Sequence, residues 1–162
     1  MTADEARTHL RYHGWASGKL LDAALGLSQE NLYREMNVSH KGLIRTLEHI
    51  LFADRIWFKR VVDPDLEVHP TSDQPHQSLS RDWPVIQKRW EEWADSLADA
   101  DLQRGVPYKS LKGDPFESPL WQIILHLVNH GSYHRGQAAA MLRQLGAPLP
   151  PTDLIVFYRE QN

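Results

Sequence analysis

The strongest constraint on the fold lies in residues 120–145, LWQIILHLVNHGSYHRGQAAAMLRQL, where apolar side chains recur at helical spacing through about seven turns. On a wheel centred on Leu127, the side chains of Leu120, Ile123, Ile124, Ala138, Met141, Leu142 and Leu145 fall within about 60° of it. A helix with so broad an apolar face must bury it against other elements. Ser118 followed by Pro119 has the cap-then-proline form of a helix start, and Gly146 with Pro148 marks the end.

Three other segments supply partners. From Asp4 to Leu25, the residues Leu10, Trp15, Leu20, Leu21, Ala24 and Leu25 follow amphipathic spacing, with Gly26 as the stop. Ser28 can cap a single turn thereafter. A second long helix is predicted from His40 to about Val62, with Ser39 as N-cap; Leu43, Leu47, Ile50, Ala53, Trp57 and Val61 lie opposite Arg45, Glu48, Arg55 and Lys59. A third runs from about Trp83 to Leu97, with Trp83, Ile86, Trp90, Trp93 and Leu97 on one face and Pro84 in its first turn. Residues 63–80 hold Pro64, Pro70 and Pro75 and read as a long surface loop. VPYKSLKGDPFESPL, residues 106–120, reads as a small β-hairpin around Lys-Gly-Asp, and the tail PTDLIVFYREQN as one more short helix. The expected fold is therefore all-α, a four-helix bundle with a small hairpin before its last long helix, forming one domain over residues 1–162.

A formal net charge of −3 leaves no basic stripe to neutralise nucleic-acid phosphates, so no nucleic-acid partner is expected. No apolar run approaches the roughly 20 residues a bilayer span requires, and the first residues lack the apolar core of a signal peptide. A cytoplasmic protein without a membrane partner is the expectation. The absence of cysteine excludes disulfides, thiolate metal sites and cysteine nucleophiles. Nine histidines then carry the chemical information.

On the fourth helix His134 falls near the middle of the apolar arc and His130 at its edge, whereas His126 lies about 100° out, toward solvent. Imidazoles at i and i+4 can aim at one atom, as in zinc-binding HExxH helices. They can equally be two hydrogen-bonding groups. On the second helix His49 flanks the apolar arc; from this helix alone it reads as a boundary histidine, with a ligand reaching the core as the alternative. Asp54 lies inside the apolar arc, where a carboxylate needs a partner. An ion pair with Arg135 or Arg11 is expected, and orientation of a metal ligand, or action as a base near the metal, is the alternative. Gln137 can contact a bound ligand or steady an imidazole, Arg135 can attract an anion or pair with an internal acid, and Gly136 is expected to permit close helix packing. Tyr133 points away from the arc, and Trp57 is expected in the core.

LEHILFADRIW and HLVNHGSYHRGQAAAMLRQLG, with RYHGWASGKLL near the start, closely resemble the DinB/YfiT-like superfamily of bacterial metal-binding four-helix bundles. The resemblance runs along nearly the whole chain. It implies a divalent metal held by three histidines, which map onto His49, His130 and His134. His13 stands where the family often has asparagine. Members with known chemistry resemble thiol-dependent transferases or isomerases, so the resemblance implies a small-molecule substrate, a low-molecular-weight thiol as cosubstrate, and a homodimer. Three neutral imidazoles suit Zn²⁺ or Ni²⁺, with Fe²⁺ or Mn²⁺ as alternatives, and leave a coordination position open for water or substrate. A non-catalytic metal- or ligand-binding protein is the competing expectation.

Overall fold

The computed structural model describes residues 1–161. Its elements are α1 (Ala3–Leu25), α2 (Gln29–Leu32), α3 (Leu43–Val61), α4 (Pro75–Gln77), α5 (Trp83–Asp95), β1 (Gly105–Lys109), β2 (Pro115–Pro119), α6 (Leu120–Gln144) and α7 (Leu154–Gln161). The long helices α1, α3, α5 and α6 form the bundle: α6 packs on α1 and α3, and α5 closes the other side against the same two. One apolar cluster, with Leu43, Leu47, Ile50, Trp83, Leu120, Ile124, Leu127 and Leu142 among its members, fills the space between them. This is the all-α bundle with a small hairpin that the periodicity predicts.

Helix α1 begins in a capping box, with the Glu5 backbone N–H donating to Thr2 Oγ1 and the Thr2 N–H to Glu5 Oε2. Helix α7 lays Phe157 edge-on against Tyr12 and Trp15, covering the outer face of α1.

Helix α3 starts at Leu43, three residues later than Ser39 capping would place it. Residues 36–42 instead close a compact turn, with the Met36 N–H donating to the Lys41 carbonyl (2.8 Å) and the Lys41 N–H to that of Val38 (2.9 Å). Lys41 takes φ 61° and Gly42 φ 157°, both incompatible with helix. A Cβ at Gly42 would lie 2.6 Å from the Arg34 carbonyl oxygen, so glycine is required there. The result places His40 on a turn ahead of α3.

Helix α6 begins at Leu120, because the backbone of Ser118 and Pro119 is taken up by the hairpin. Val106 pairs with Ser118 and Gly105 with Pro119, and no side chain caps the helix. The segment 63–80 is irregular up to Gln74 and then enters α4 and a π-helical turn, Ser78–Asp82, that leads into α5. It folds back over α3, where Glu48 Oε1 accepts the Ser72 N–H at 2.9 Å. Glu48, expected on the solvent face, is thereby buried. Trp83 and Trp90 are core residues, whereas Trp57 is only half-buried, correcting its expected place.

The close helix approach expected at Gly136 occurs at Gly131. Gly136 is exposed, and a Cβ there meets nothing within 4 Å. At Gly131 a Cβ would lie 2.2 Å from His13 Cε1 and 2.8 Å from an Arg135 guanidinium nitrogen, both fully enclosed. Gly131→Ala is expected to cost about 1–3 kcal/mol or more, as overpacking of a rigid polar core does. Urea unfolding checks this, with Gly136→Ala, expected to be neutral or stabilising through helix propensity, as the comparison.

Candidate metal centre

Four imidazoles converge where the N-terminal half of α3 faces the middle of α6. Helix α3 supplies His49, α6 supplies His130 and His134 one turn apart, and the turn before α3 supplies His40. His49 Nε2 lies 3.1 Å from His130 Nε2. The His134 ring centroid is 4.5 Å from both His49 and His130. His40 stacks on His49 at 4.2 Å and meets His134 edge-on at 5.2 Å. One ring nitrogen each from His40, His49 and His134 lies within 4.8 Å of the others. Bonds of about 2.0–2.1 Å to a tetrahedral ion set its nitrogen ligands roughly 3.3 Å apart, so small rotamer adjustments are enough to close the set.

The three residues expected as ligands, His49, His130 and His134, are neighbours, but the donors within 4.8 Å of one another are those of His49, His134 and His40; His130 reaches the group through His49, at 3.1 Å. Sequence reasoning missed His40. Its spacing does not reveal it, since the periodicity makes it the first residue of a helix and its ring is placed by the turn at Lys41 and Gly42.

Hydrogen bonding fixes one tautomer. Gln137 Oε1 lies 2.8 Å from His134 Nδ1, and an amide oxygen only accepts, so the proton sits on Nδ1 and the Nε2 lone pair is free. Gln137 therefore steadies an imidazole, as outer partners of metal-binding histidines do. The facing Nε2 atoms of His49 and His130 can share only one proton, while His130 Nδ1 is buried without a partner among the described residues. Protein groups alone leave these lone pairs unmatched. A divalent cation among the rings would take the facing Nε2 lone pairs of His49 and His130, so the donor set fits such an ion.

Burial, then the neighbouring histidines, pushes the His49 pKa down to about 4, and burial with His134, His49 and His126 does the same for His130. Burial and His134 lower His40 as well. His49 and His130 are therefore neutral at physiological pH, the state a cation needs. The folded-state pKa values lie below the ordinary 6.5, so between pH 6.5 and 4 the unfolded chain binds protons that the folded chain does not. The metal-free protein is expected to lose stability as pH falls through this window. Melting temperatures measured from pH 7 to 4 check the sign, and His49→Gln is expected to flatten the slope.

Asp54, His13 and Arg135 lie in a separate buried network. Asp54 Oδ1 accepts from His13 Nε2 at 2.9 Å and Oδ2 from the Trp83 indole at 2.6 Å, while the Trp90 indole donates to the Asp54 carbonyl at 3.1 Å. Arg135 donates to His13 Nδ1 (3.0 Å), Ser17 Oγ (3.2 Å) and Ser132 Oγ (2.8 Å). Arginine has only donors, so His13 Nδ1 must accept and Nε2 must carry the proton. The neutral imidazole separates a buried carboxylate from a buried guanidinium. The direct Asp54 pair expected with Arg135 or Arg11 is therefore absent: Arg135 acts through His13, and Arg11 pairs with Asp95 at 2.8 Å. Burial lowers the Arg135 pKa, opposed by Tyr12 and Asp54, and an arginine keeps its charge regardless.

Beside the histidines a cleft of about 360 Å³ opens between α3, α6 and the hairpin. His49 and His130 line one part, and Trp57, Tyr108 and Phe116 give apolar walls. The Arg60 guanidinium lies 4.5 Å over the Trp57 ring and donates to the Lys109 carbonyl at 2.7 Å, tying helix to hairpin. His126, exposed as expected, borders the same cleft. A larger, more polar recess of about 720 Å³, between α3 and residues 69–82, contains none of the four histidines.

The family model for the DinB family matches residues 1–162. The chain belongs to the DinB family. Protein DinB of Bacillus subtilis (strain 168) is 23% identical over 149 residues, covering 88% of this chain and 87% of that protein. The crystal structure of a DinB-like protein from Bacillus cereus ATCC 10987 aligns with a TM-score of 0.62 at 21% identity, covering 88% of this chain and 94% of that one. At this identity the structural likeness to the DinB-like protein concerns the fold. Membership and the histidine cluster together are compatible with a metal-binding protein. Among the described residues, no helix is long and apolar enough to cross a membrane.

Proposed function

We propose that this protein is a divalent-metal-dependent enzyme that activates a low-molecular-weight thiol for transfer to an electrophile, with His49, His130 and His134 holding the metal. The observation carrying this reading is the convergence of these imidazoles beside an apolar cleft. A cation bound there supplies Lewis acidity that lowers the pKa of a coordinated water or thiol. The chain's own residues do the rest. Gln137 holds the His134 ring with Nε2 directed away from its own hydrogen bond, and burial keeps His49 and His130 unprotonated. Trp57, Tyr108 and Phe116 exclude water around an apolar electrophile, and Arg60 offers a positive charge to a carboxylate on either reactant. Zn²⁺ and Ni²⁺ are the first candidates for imidazole donors, ahead of Fe²⁺ and Mn²⁺.

The test is turnover by protein purified without a histidine tag, loaded with each metal, and assayed with a panel of small thiols against a halogenated aromatic. Activity that requires the metal and is lost in Trp57→Ala supports the reading. Stoichiometric metal with no turnover for any pair supports the second reading, a non-catalytic metal-binding protein, which a further imidazole in the group, His40, favours. A cytoplasmic homodimer is part of the proposal, and a monomeric mass by light scattering would remove that part.

A further inference from the structure

We propose that His40 is a fourth protein ligand of the metal centre, added in this chain to the three-histidine set and carried on a turn instead of a helix. The inference rests on the metal-binding reading above. Three observations carry it. First, a His40 ring nitrogen belongs to the group of donors within 4.8 Å of one another, together with His49 and His134. Second, its ring stacks at 4.2 Å on His49 and lies edge-on to His134 at 5.2 Å, and these are its ring contacts among the described residues. An imidazole whose ring contacts are other imidazoles, with no carboxylate or carbonyl among the described residues to orient it, is placed for a shared ion.

Third, the backbone that delivers it is built at a cost. Lys41 adopts a left-handed conformation (φ 61°), which is unfavourable for any residue with a β-carbon. Gly42 is confined against the Arg34 carbonyl, where a Cβ would lie 2.6 Å away. The Met36 and Lys41 backbone hydrogen bonds close the loop on both sides of His40. A helix continuing back from Leu43 would satisfy the same backbone groups without this strain, and it would carry residue 40 around to a different face. The turn instead sets the His40 ring over His49.

The arrangement has a chemical consequence. Four imidazoles complete a tetrahedral set, which is the closed pattern of a structural site, whereas three leave a position open. Two of the donors here, His130 and His134, are fixed one turn apart on α6, and His49 sits on α3. His40 is the donor carried outside a helix, and it is only partly buried. The centre is therefore closed at rest, and an exogenous ligand must compete with His40 for its position.

Cobalt(II) distinguishes the alternatives, with full-length protein and no reaction required. The wild-type protein loaded with one Co²⁺ is expected to show the intense visible absorption of a four-coordinate nitrogen site, and X-ray absorption is expected to count four imidazoles. In His40→Ala the imidazole count should fall to three, the visible bands should weaken as water enters, and Co²⁺ affinity should drop by about tenfold or more. Azide titrated as the probe should bind the His40→Ala protein at least about tenfold more tightly than wild type. Melting of the metal-free proteins controls for folding, and the wild-type imidazole count needs no variant. Three imidazoles in wild type, or cobalt spectra and azide affinity unchanged by His40→Ala, would overturn the proposal while leaving the three-histidine centre standing. No stoichiometric Co²⁺ in wild type would overturn both.

Discussion

Asp54→Ala is expected to destabilise the protein by about 3–5 kcal/mol, the scale of breaking a buried charge pair by removing one partner. Asp54 has no solvent exposure, and its carboxylate accepts from His13 and from the Trp83 indole. Removing it leaves two buried donors without acceptors. It also leaves the Arg135 guanidinium, 3% exposed, without the anion that balances it through His13. Chemical denaturation measures the loss. Asp54→Asn is expected to lose less, because its amide oxygen retains one acceptor for either His13 or Trp83 while the charge balance is still broken. A loss below about 1 kcal/mol for Asp54→Ala would mean that water or rearrangement satisfies the network, and its structural role would have to be abandoned.

His134→Ala is expected to lower metal affinity by more than about 100-fold, beyond the 10–100-fold that loss of an outer-sphere partner brings. The ring is buried on α6 and its Nδ1 proton is committed to Gln137, so its loss removes a donor that is already oriented. Competition against a chromophoric chelator reads the change. His69→Ala, an exposed histidine outside the cluster, is the control and is expected to bind as wild type does. Equal affinities for the two variants would exclude His134 as a ligand. Circular dichroism separates lost binding from lost fold.

These two expectations concern two neighbouring but distinct polar clusters on α3 and α6, and their separation has a mechanical meaning. Asp54 and His49 are both on α3, and Arg135 directly follows His134 on α6. Successive helical residues point about 100° apart, so adjacent positions serve different sides of one helix. The inner cluster pins α1, α3, α5 and α6 together through His13, Asp54, Trp83 and Arg135. It thereby holds the backbone that positions the histidines, without contributing a group to their cleft.

The sequence alone determined the helical class and brought out His130 and His134 as candidate donors. Apolar residues at steps of three and four need nothing beyond local geometry to define a buried helix face, and the same wheel separates His130 and His134 from His126. HGSYHRGQ and LEHILFADRIW also carried the family resemblance that the whole-chain match sustains. Tertiary structure decided everything that depends on residues distant in the chain. His13 and Arg135, 122 positions apart, meet because Gly131 lets α1 approach α6. Glu48 is buried because a distant loop folds over it. His40 joins the metal centre because Lys41 and Gly42 reverse the chain, a feature of backbone torsion that leaves no periodic trace. Periodicity records which way a side chain faces on its own helix; which atoms it meets there is set only when the other elements pack.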